Sequence, residues 1–211
     1  MNYICKCKKN NLFDKSYTYW EDRDITTDEL DIVNFLDDNK DFRFQSALHI
    51  GIGNSYFAKK FATRFNITGI TISQKEIENA EAMNLINYES HLLDKYSVQF
   101  KQFLDKNKFD LIVDTNLKSY SCCQETFEFM INNLFKSINP NGMLITSING
   151  MKWFKYLKPK LSFSFKKFFF LKLKEINGNK DNVLSVNELK SLSLKYNIKM
   201  SFNDKLCYLK K

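Results

Sequence analysis

Residues 109–116 read FDLIVDTN, an apolar run that lacks the polar alternation of a half-buried strand. A strand of this kind is covered on both faces, which places it in a parallel sheet with helices above and below. Parallel neighbours need long crossovers, so the flanking segments should be helical. The sequence supplies them. Residues 47–50 (ALHI) read as a first strand, and after them Phe57, Ala58, Phe61, Ala62 and Phe65 recur at helical spacing, with Lys59, Lys60 and Arg64 opposite. Residues 66–73 (NITGITIS) are apolar and β-branched, as a second strand would be. Phe127, Met130, Ile131, Leu134, Phe135 and Ile138 form a further helical face, stopped by Pro140 and Gly142, and a strand over 143–148 (MLITSI) follows.

Three capping-box pairs mark helix starts: Thr26 with Glu29, Ser73 with Glu76, and Ser185 with Glu188. The first helix precedes the first strand and ends near Asp38. The second runs to about Tyr88, and the third from Val186 to about Tyr196. Residues 98–103 are the expected short third strand, with little room for a helix before residue 109. At the chain's end, IKMSF and KLCYLKK flank Asn203-Asp204 as a hairpin. The expected fold is α/β: a doubly wound, mostly parallel seven-stranded sheet with helices on both faces and a C-terminal antiparallel hairpin.

A chain of 211 residues has room for one sizeable core. The expected organisation is one domain over 1–211: an N-terminal helical strap (1–45), a central core (46–150), an insertion (151–184), and a final helix with the hairpin (185–211). A hydrophobic share of 44% and a charged share of 27% exclude a disordered chain, and 15% aromatic content implies a core rich in phenylalanine. Five scattered cysteines and two histidines suit reduced thiols better than a disulfide framework or a zinc site. With no signal-peptide pattern and no apolar run approaching the ~20 residues of a membrane helix, the expected location is cytoplasmic.

The stretch His49-Ile50-Gly51-Ile52-Gly53-Asn54-Ser55 holds two of the chain's six glycines. At a strand end glycine permits a tight turn and a close approach of ligand to backbone, and free N–H groups at the following helix start favour a polar or anionic ligand. A strand, a Gly-x-Gly loop and a helix also suit a plain structural turn.

These segments, in this order, resemble the class I S-adenosylmethionine-dependent methyltransferases. HIGIGNS stands where that family has an acid, an apolar residue and GxGxG. GITIS resembles the end of its second strand, in the wording of the branch that methylates lipids, where Thr71 is the ordinary residue. FDLIVD resembles the fourth-strand motif, and LFKSINPNGMLI the helix-to-strand passage that follows. The likeness covers roughly residues 45–149. It implies S-adenosyl-L-methionine as cofactor and methyl transfer to an oxygen or nitrogen of a small molecule or biosynthetic precursor by in-line displacement. His49, Gly51, Gly53, Ser55, Thr71, Ile72 and Asp114 would meet the cofactor. Asp114 and Tyr19 are the candidate catalytic residues, Asp114 as a proton acceptor or a partner of the cofactor's amino group, and Tyr19 with Tyr17 from a lid. Asn116, Ser119, Tyr120 and Trp153 would line the acceptor site. The chain departs from the family at His49, which replaces the usual acid, and at Ser55, which replaces the third glycine. No acidic residue stands plainly after the expected third strand. A non-catalytic binding protein, and aminopropyl transfer from decarboxylated cofactor, therefore stay open.

The net charge of +8 is uneven: residues 14–41 hold ten acidic side chains against three basic, while residues 151–174 hold eight lysines, eight aromatics and no acid. That second segment suits an anionic or aromatic precursor, and leaves peripheral membrane contact open. Nucleic acid is disfavoured as a partner, since no RNA-binding module and no long basic tail is present. No metal site is expected, and oligomeric state is not legible.

Overall fold

The structure, a computed structural model, describes residues 25–152 and 183–211. Thr26 opens α1 (Thr27–Asp38) by accepting the Glu29 amide on its hydroxyl at 3.2 Å, satisfying a donor that the helix itself leaves unpaired. There follow β1 (Ser46–Ile50), α2 (Tyr56–Phe61), β2 (Asn66–Thr71), α3 (Gln74–Ala82), β3 (Tyr88–Leu92), α4 (Val98–Lys106), β4 (Phe109–Asp114), α5 (Gln124–Ser137) and β5 (Ile138–Ser147). After a 3-10 turn at Gly150–Lys152 and the segment outside the described residues come α6 (Val186–Lys195), β6 (Lys199–Phe202) and β7 (Leu206–Lys210). Serine hydroxyls start α3, α4 and α6 in the same way, from Ser73, Ser97 and Ser185.

The seven strands form one sheet in the order β3-β2-β1-β4-β5-β7-β6. Strands β1 to β5 pair in parallel, and β7 lies antiparallel to both β5 and β6. This is the expected sheet. Its order reverses between β1 and β4, so the crevice beyond their carboxyl ends is where such a sheet binds ligands.

Both faces are covered. Ile32, Val33 and Leu36 of α1 and Phe57, Ala58 and Phe61 of α2 pack on Ala47, Ile67, Leu111 and Val113. On the opposite face Phe100 and Leu104 of α4, Phe127, Met130, Ile131 and Leu134 of α5, and Leu189 and Leu192 of α6 pack on Leu48, Ile70, Ile112 and Leu144. Successive residues of β4 thus alternate between two cores, which is why its sequence shows no polar face.

Four expectations need correction. Ile138 closes no helical face: α5 ends at Ser137, and β5 starts at Ile138 rather than residue 143, so that Pro140 and Gly142 lie within the strand. Residues 98–103 are not a strand: Phe100 and Leu104 are buried four residues apart, Phe103 packs beside them, and Ser97 caps the helix at Phe100. The third strand is Tyr88–Leu92, an edge strand whose residues are exposed or half-buried and so carry no apolar signature. The helix opened by Ser73 ends at Ala82 instead of continuing to Tyr88, and Asn84 and Asn87 turn the chain in the left-handed region before β3. Finally, α2 stops at Phe61, although Ala62 and Phe65 stay buried in the same cluster. Among the described residues, no helix is long and apolar enough to cross a membrane.

If residues 98–106 are helical and Phe100 is a core side chain at 1% exposure, Phe100→Ala should destabilise the protein by about 3–5 kcal/mol in urea unfolding.

Candidate active site

At the end of β1 the chain turns through Gly51 and Gly53, with φ of +78° and +51°, a region that side chains disfavour. A Cβ on Gly51 would meet nothing within 4 Å, so the backbone there is open to approach. Five amides between Gly51 and Phe57 have partners. Gly51 N donates to the Ile70 carbonyl at 2.8 Å and Ser55 N to the Ile52 carbonyl at 2.7 Å. Tyr56 N donates to Asn54 Oδ1 at 3.1 Å and Phe57 N to Glu29 Oε1 at 3.3 Å, while the Gly53 amide bonds the Glu76 carboxylate. Of the polar or anionic ligand expected at this helix start, the polar one suits these amides better: a loop that holds anions keeps such N–H groups free, whereas two of these are given to carboxylates.

Those carboxylates come from the capping-box positions read in the sequence, and both leave the box to serve the loop. Glu29 hands its backbone amide to Thr26 and sends its side chain under the loop, where burial pushes its carboxyl up to about 7, partly offset by the Phe57 amide. Glu76 likewise caps on Ser73 and turns its carboxylate to the Thr71 hydroxyl, 2.5 Å away, and its carboxyl is raised, chiefly by burial. Thr71 closes β2, gives its only hydroxyl proton to Glu76 and accepts the Ser73 amide at 3.1 Å. The next residue, Ile72, is half-buried beyond the strand end. A third carboxyl belongs to Asp94, two residues past β3. Its Oδ1 accepts the Tyr96 amide, its Oδ2 is buried without any hydrogen-bond partner, and burial raises its pKa. The carboxyl ends of β1, β2 and β3 are thus each attended by a desolvated acid.

His49, on β1, points into the layer of α1 and α2. Its ring lies 4.9 Å from that of Phe57, and its Nε2 is 3.9 Å from Glu29 Oε1. Burial lowers its pKa to about 4 and its Nδ1 has no partner, so it is a neutral ring at ordinary pH. Ser55 adopts φ +58°, and its hydroxyl makes no helix cap; it hydrogen-bonds the Tyr88 hydroxyl at 2.9 Å.

Asp114 ends β4 as expected, but both its oxygens are engaged. Lys95 Nζ donates to Oδ2 at 2.8 Å and the Asn116 amide to Oδ1 at 3.1 Å. The same ammonium reaches the carbonyls of Asn116 and Leu117 and the Ser119 hydroxyl, at 3.0, 3.2 and 3.4 Å, while the Tyr96 hydroxyl donates to the Ser119 carbonyl at 2.8 Å. Lys95 and Asp114 are both buried. This geometry suits Asp114 to anchoring the loop after β4 better than to taking a proton. The loop carries Asn116, Ser119 and Tyr120 together, and Tyr120 sits at φ +62°, a conformation that a bulky residue adopts only when its surroundings hold it there. Cys122 and Cys123 follow as half-buried thiols, each in hydrogen-bond contact with the Thr126 hydroxyl. Among the described residues, no group of three or more His, Cys, Asp or Glu side chains is arranged to hold a metal ion. Tyr17, Tyr19, Trp153 and the basic aromatic segment from residue 153 onward lie outside the described residues.

Sequence reasoning missed Glu29, Glu76, Asp94, Lys95 and Tyr88 as site residues. Asp94 was hidden because the third strand was placed too late. Glu29 and Glu76 had been accounted for as helix caps.

No protein-family model and no curated protein matches this sequence. Solved structures do match the fold. The N-methyltransferase NodS from Bradyrhizobium japonicum WM9, in complex with S-adenosyl-L-homocysteine, is similar with a TM-score of 0.60 at 15% identity, over 89% of each chain. CalS10, an amino pentose methyltransferase from Micromonospora echinaspora bound to S-adenosylmethionine, gives 0.57 at 11% identity, over 86% of this chain and 89% of its own. Magnesium protoporphyrin IX methyltransferase from Synechocystis PCC 6803, with bound S-adenosylhomocysteine, gives 0.57 at 12%, over 91% and 90%. The fold of this chain is that of the class I S-adenosylmethionine-dependent methyltransferases.

Two predictions follow from the charges. Lys95→Met leaves the Asp114 carboxylate buried without its cation, which should cost about 3–5 kcal/mol in denaturant unfolding, and adding Asp114→Asn should recover much of it. A carboxyl whose pKa is raised by folding stabilises the fold below its unfolded value and loses that contribution as pH rises through the raised value. Between the ordinary 4.5 and the raised value of about 7, the ligand-free wild type should therefore lose stability relative to Glu29→Gln, by on the order of 3 kcal/mol in total, read from urea unfolding across that range. His49 acts oppositely, removing stability as pH falls from 6.5 towards about 4.

Proposed function

We propose that this protein binds S-adenosylmethionine at the carboxyl ends of β1 to β4 and transfers its methyl group to an oxygen or nitrogen of a small molecule or biosynthetic precursor. The observation that carries this reading is the set of buried acids, Glu29, Glu76 and Asp94, beside the carboxyl ends of β1, β2 and β3, two of them accepting amides at the glycine loop and the helix start after it. Such a site is built for a ligand that brings positive charge and hydrogen-bond donors. A dinucleotide would bring a pyrophosphate, for which this loop keeps little to offer. S-adenosylmethionine brings a sulfonium, an ammonium, a ribose diol and an adenine amine, and the acceptors present fit that group.

On this reading Gly51 and Gly53 let the methionine part lie against the backbone. Glu76, held by the Thr71 hydroxyl, accepts from the ribose, and Thr71 itself has only acceptor capacity left. Ile72 packs on the adenine edge. The buried Oδ2 of Asp94, the one oxygen of that carboxylate without a protein partner, accepts the adenine amine. The negative charge beneath the loop comes from Glu29 on α1, and His49, neutral and buried, supports it in the position the family gives to an acid. The bound cofactor supplies a methyl group on an electrophilic sulfonium. The protein's share is then to hold acceptor, methyl and sulfur in line and to exclude water, which is where most of such a rate enhancement originates. Lys95 and Asp114 serve this by fixing the loop of Asn116, Ser119 and Tyr120, the described part of the acceptor site.

Calorimetric titration with S-adenosylmethionine and S-adenosylhomocysteine tests the reading. Micromolar affinity is expected, strengthening as pH rises and the three carboxyls ionise. Gly53→Arg should abolish binding while leaving the protein folded, because an L side chain at this φ costs only about 1–2 kcal/mol. Asp94→Asn should weaken binding by about tenfold or more. Wild-type protein that takes up neither ligand would mean that the fold has been put to another use.

A further inference from the structure

The one residue of the loop that departs from glycine at a left-handed position is Ser55, with φ +58°. It stands at the start of α2, where a serine hydroxyl ordinarily accepts a helix amide, yet it makes no such bond. Its side chain is turned the other way, into the protein, and the residue is 1% exposed. The partner it finds, at 2.9 Å, is the hydroxyl of Tyr88, the first residue of the edge strand β3. Strand β2 lies between β3 and β1 in the sheet, so Tyr88 must cross it to reach the loop.

The crossing point is Gly69. A Cβ added there would stand 2.9 Å from the Tyr88 hydroxyl, 3.0 Å from its Cε2, and 2.6 Å from Cγ2 of Ile52, the loop residue between the two glycines. Gly69 has an ordinary strand conformation, and its missing side chain is what admits both groups. Ile52 and Tyr88 then pack together with Ile77 and Ala80 of α3. Three positions far apart in sequence are matched: a bare residue on β2, a tyrosine on β3 long enough to pass over it, and a serine in a conformation that glycine would adopt freely.

We propose that Tyr88 is a positioning residue that holds the glycine loop in its ligand-binding shape, through its hydrogen bond to Ser55 across Gly69, and so stands in for the third glycine that the loop lacks. The tether gives the buried Ser55 hydroxyl its hydrogen-bond partner, and fixes the left-handed turn between Gly53 and α2. Tyr88 itself touches no reacting group. This inference rests on the reading that residues 51–55 receive the cofactor, but the shape of the loop can be measured without it.

The experiment compares wild type, Tyr88→Phe, Ser55→Gly and the double variant by amide hydrogen exchange over residues 52–57 in ligand-free protein, and by calorimetric titration with S-adenosylhomocysteine. Removing one net hydrogen bond should make Tyr88→Phe exchange about tenfold faster in the loop and bind about tenfold more weakly, with the rest of the sheet exchanging as in wild type. In the double variant glycine takes up the left-handed turn unaided and no hydroxyl is left unpaired, so both properties should return to within about threefold of wild type. Wild-type behaviour in Tyr88→Phe would overturn the inference. So would a double variant as impaired as Tyr88→Phe, since Tyr88 would then act through something other than Ser55. If wild type fails to bind the ligand, the cofactor reading falls, and the exchange rates still decide for or against the tether.

Discussion

A parallel sheet buried on both faces leaves little room for polar chemistry except at the ends of its strands. In β4 the successive side chains of Leu111, Ile112 and Val113 enter two different cores, and its charges stand towards the ends, Asp110 at the start and Asp114 at the carboxyl end. The Asp114 carboxylate is buried together with the Lys95 ammonium, and a pair of charges removed from water in this way is tolerated only when further hydrogen bonds complete it. Lys95 meets that condition by reaching two carbonyls and a hydroxyl of the following loop. Satisfying one buried charge thus shapes the segment that carries Asn116, Ser119 and Tyr120.

The same pressure explains the acids around the glycine loop. Glu29, Glu76 and Asp94 are each desolvated, and each has its carboxyl raised for that reason. Glu29 and Glu76 are not paired with a lysine or arginine as Asp114 is: Glu29 has a backbone amide and a neutral histidine, and Glu76 a hydroxyl and a backbone amide, while for Asp94 the Tyr96 amide and the nearby Lys95 charge only partly offset its burial. A fold that gathers incompletely compensated acids at the mouth of its sheet is suited to a guest that carries the missing positive charge.

How much of this could be read from the chain depended on whether a residue's local and tertiary roles coincided. The doubly buried strand, the hairpin and the caps at Thr26, Ser73 and Ser185 were legible, because burial and capping leave periodic or short-range marks. Strand β3 was not: an edge strand with half-exposed residues shows no apolar alternation, while Phe100, Phe103 and Leu104 in the next helix lie close enough together to pass for one. That single displacement concealed Asp94. Glu29 and Glu76 were visible and were understood halfway. Their amides do what a capping box requires, but their carboxylates travel to a loop more than twenty residues away in one case and to a neighbouring strand end in the other. Gly69 could not be interpreted at all from sequence, since what matters there is a side chain arriving from another strand.

The antiparallel hairpin has a consequence for how the molecule is made. Strand β5 pairs through residues 143–147 with β7, whose residues 206–210 are synthesised long after it. A nascent chain that has already assembled β1 to β5 therefore presents an apolar strand with one edge unpaired until β7 emerges and inserts between β5 and β6. Completion of the sheet waits on its latest pairing, and during that wait the exposed edge of β5 is the place where chains emerging from neighbouring ribosomes would meet and aggregate.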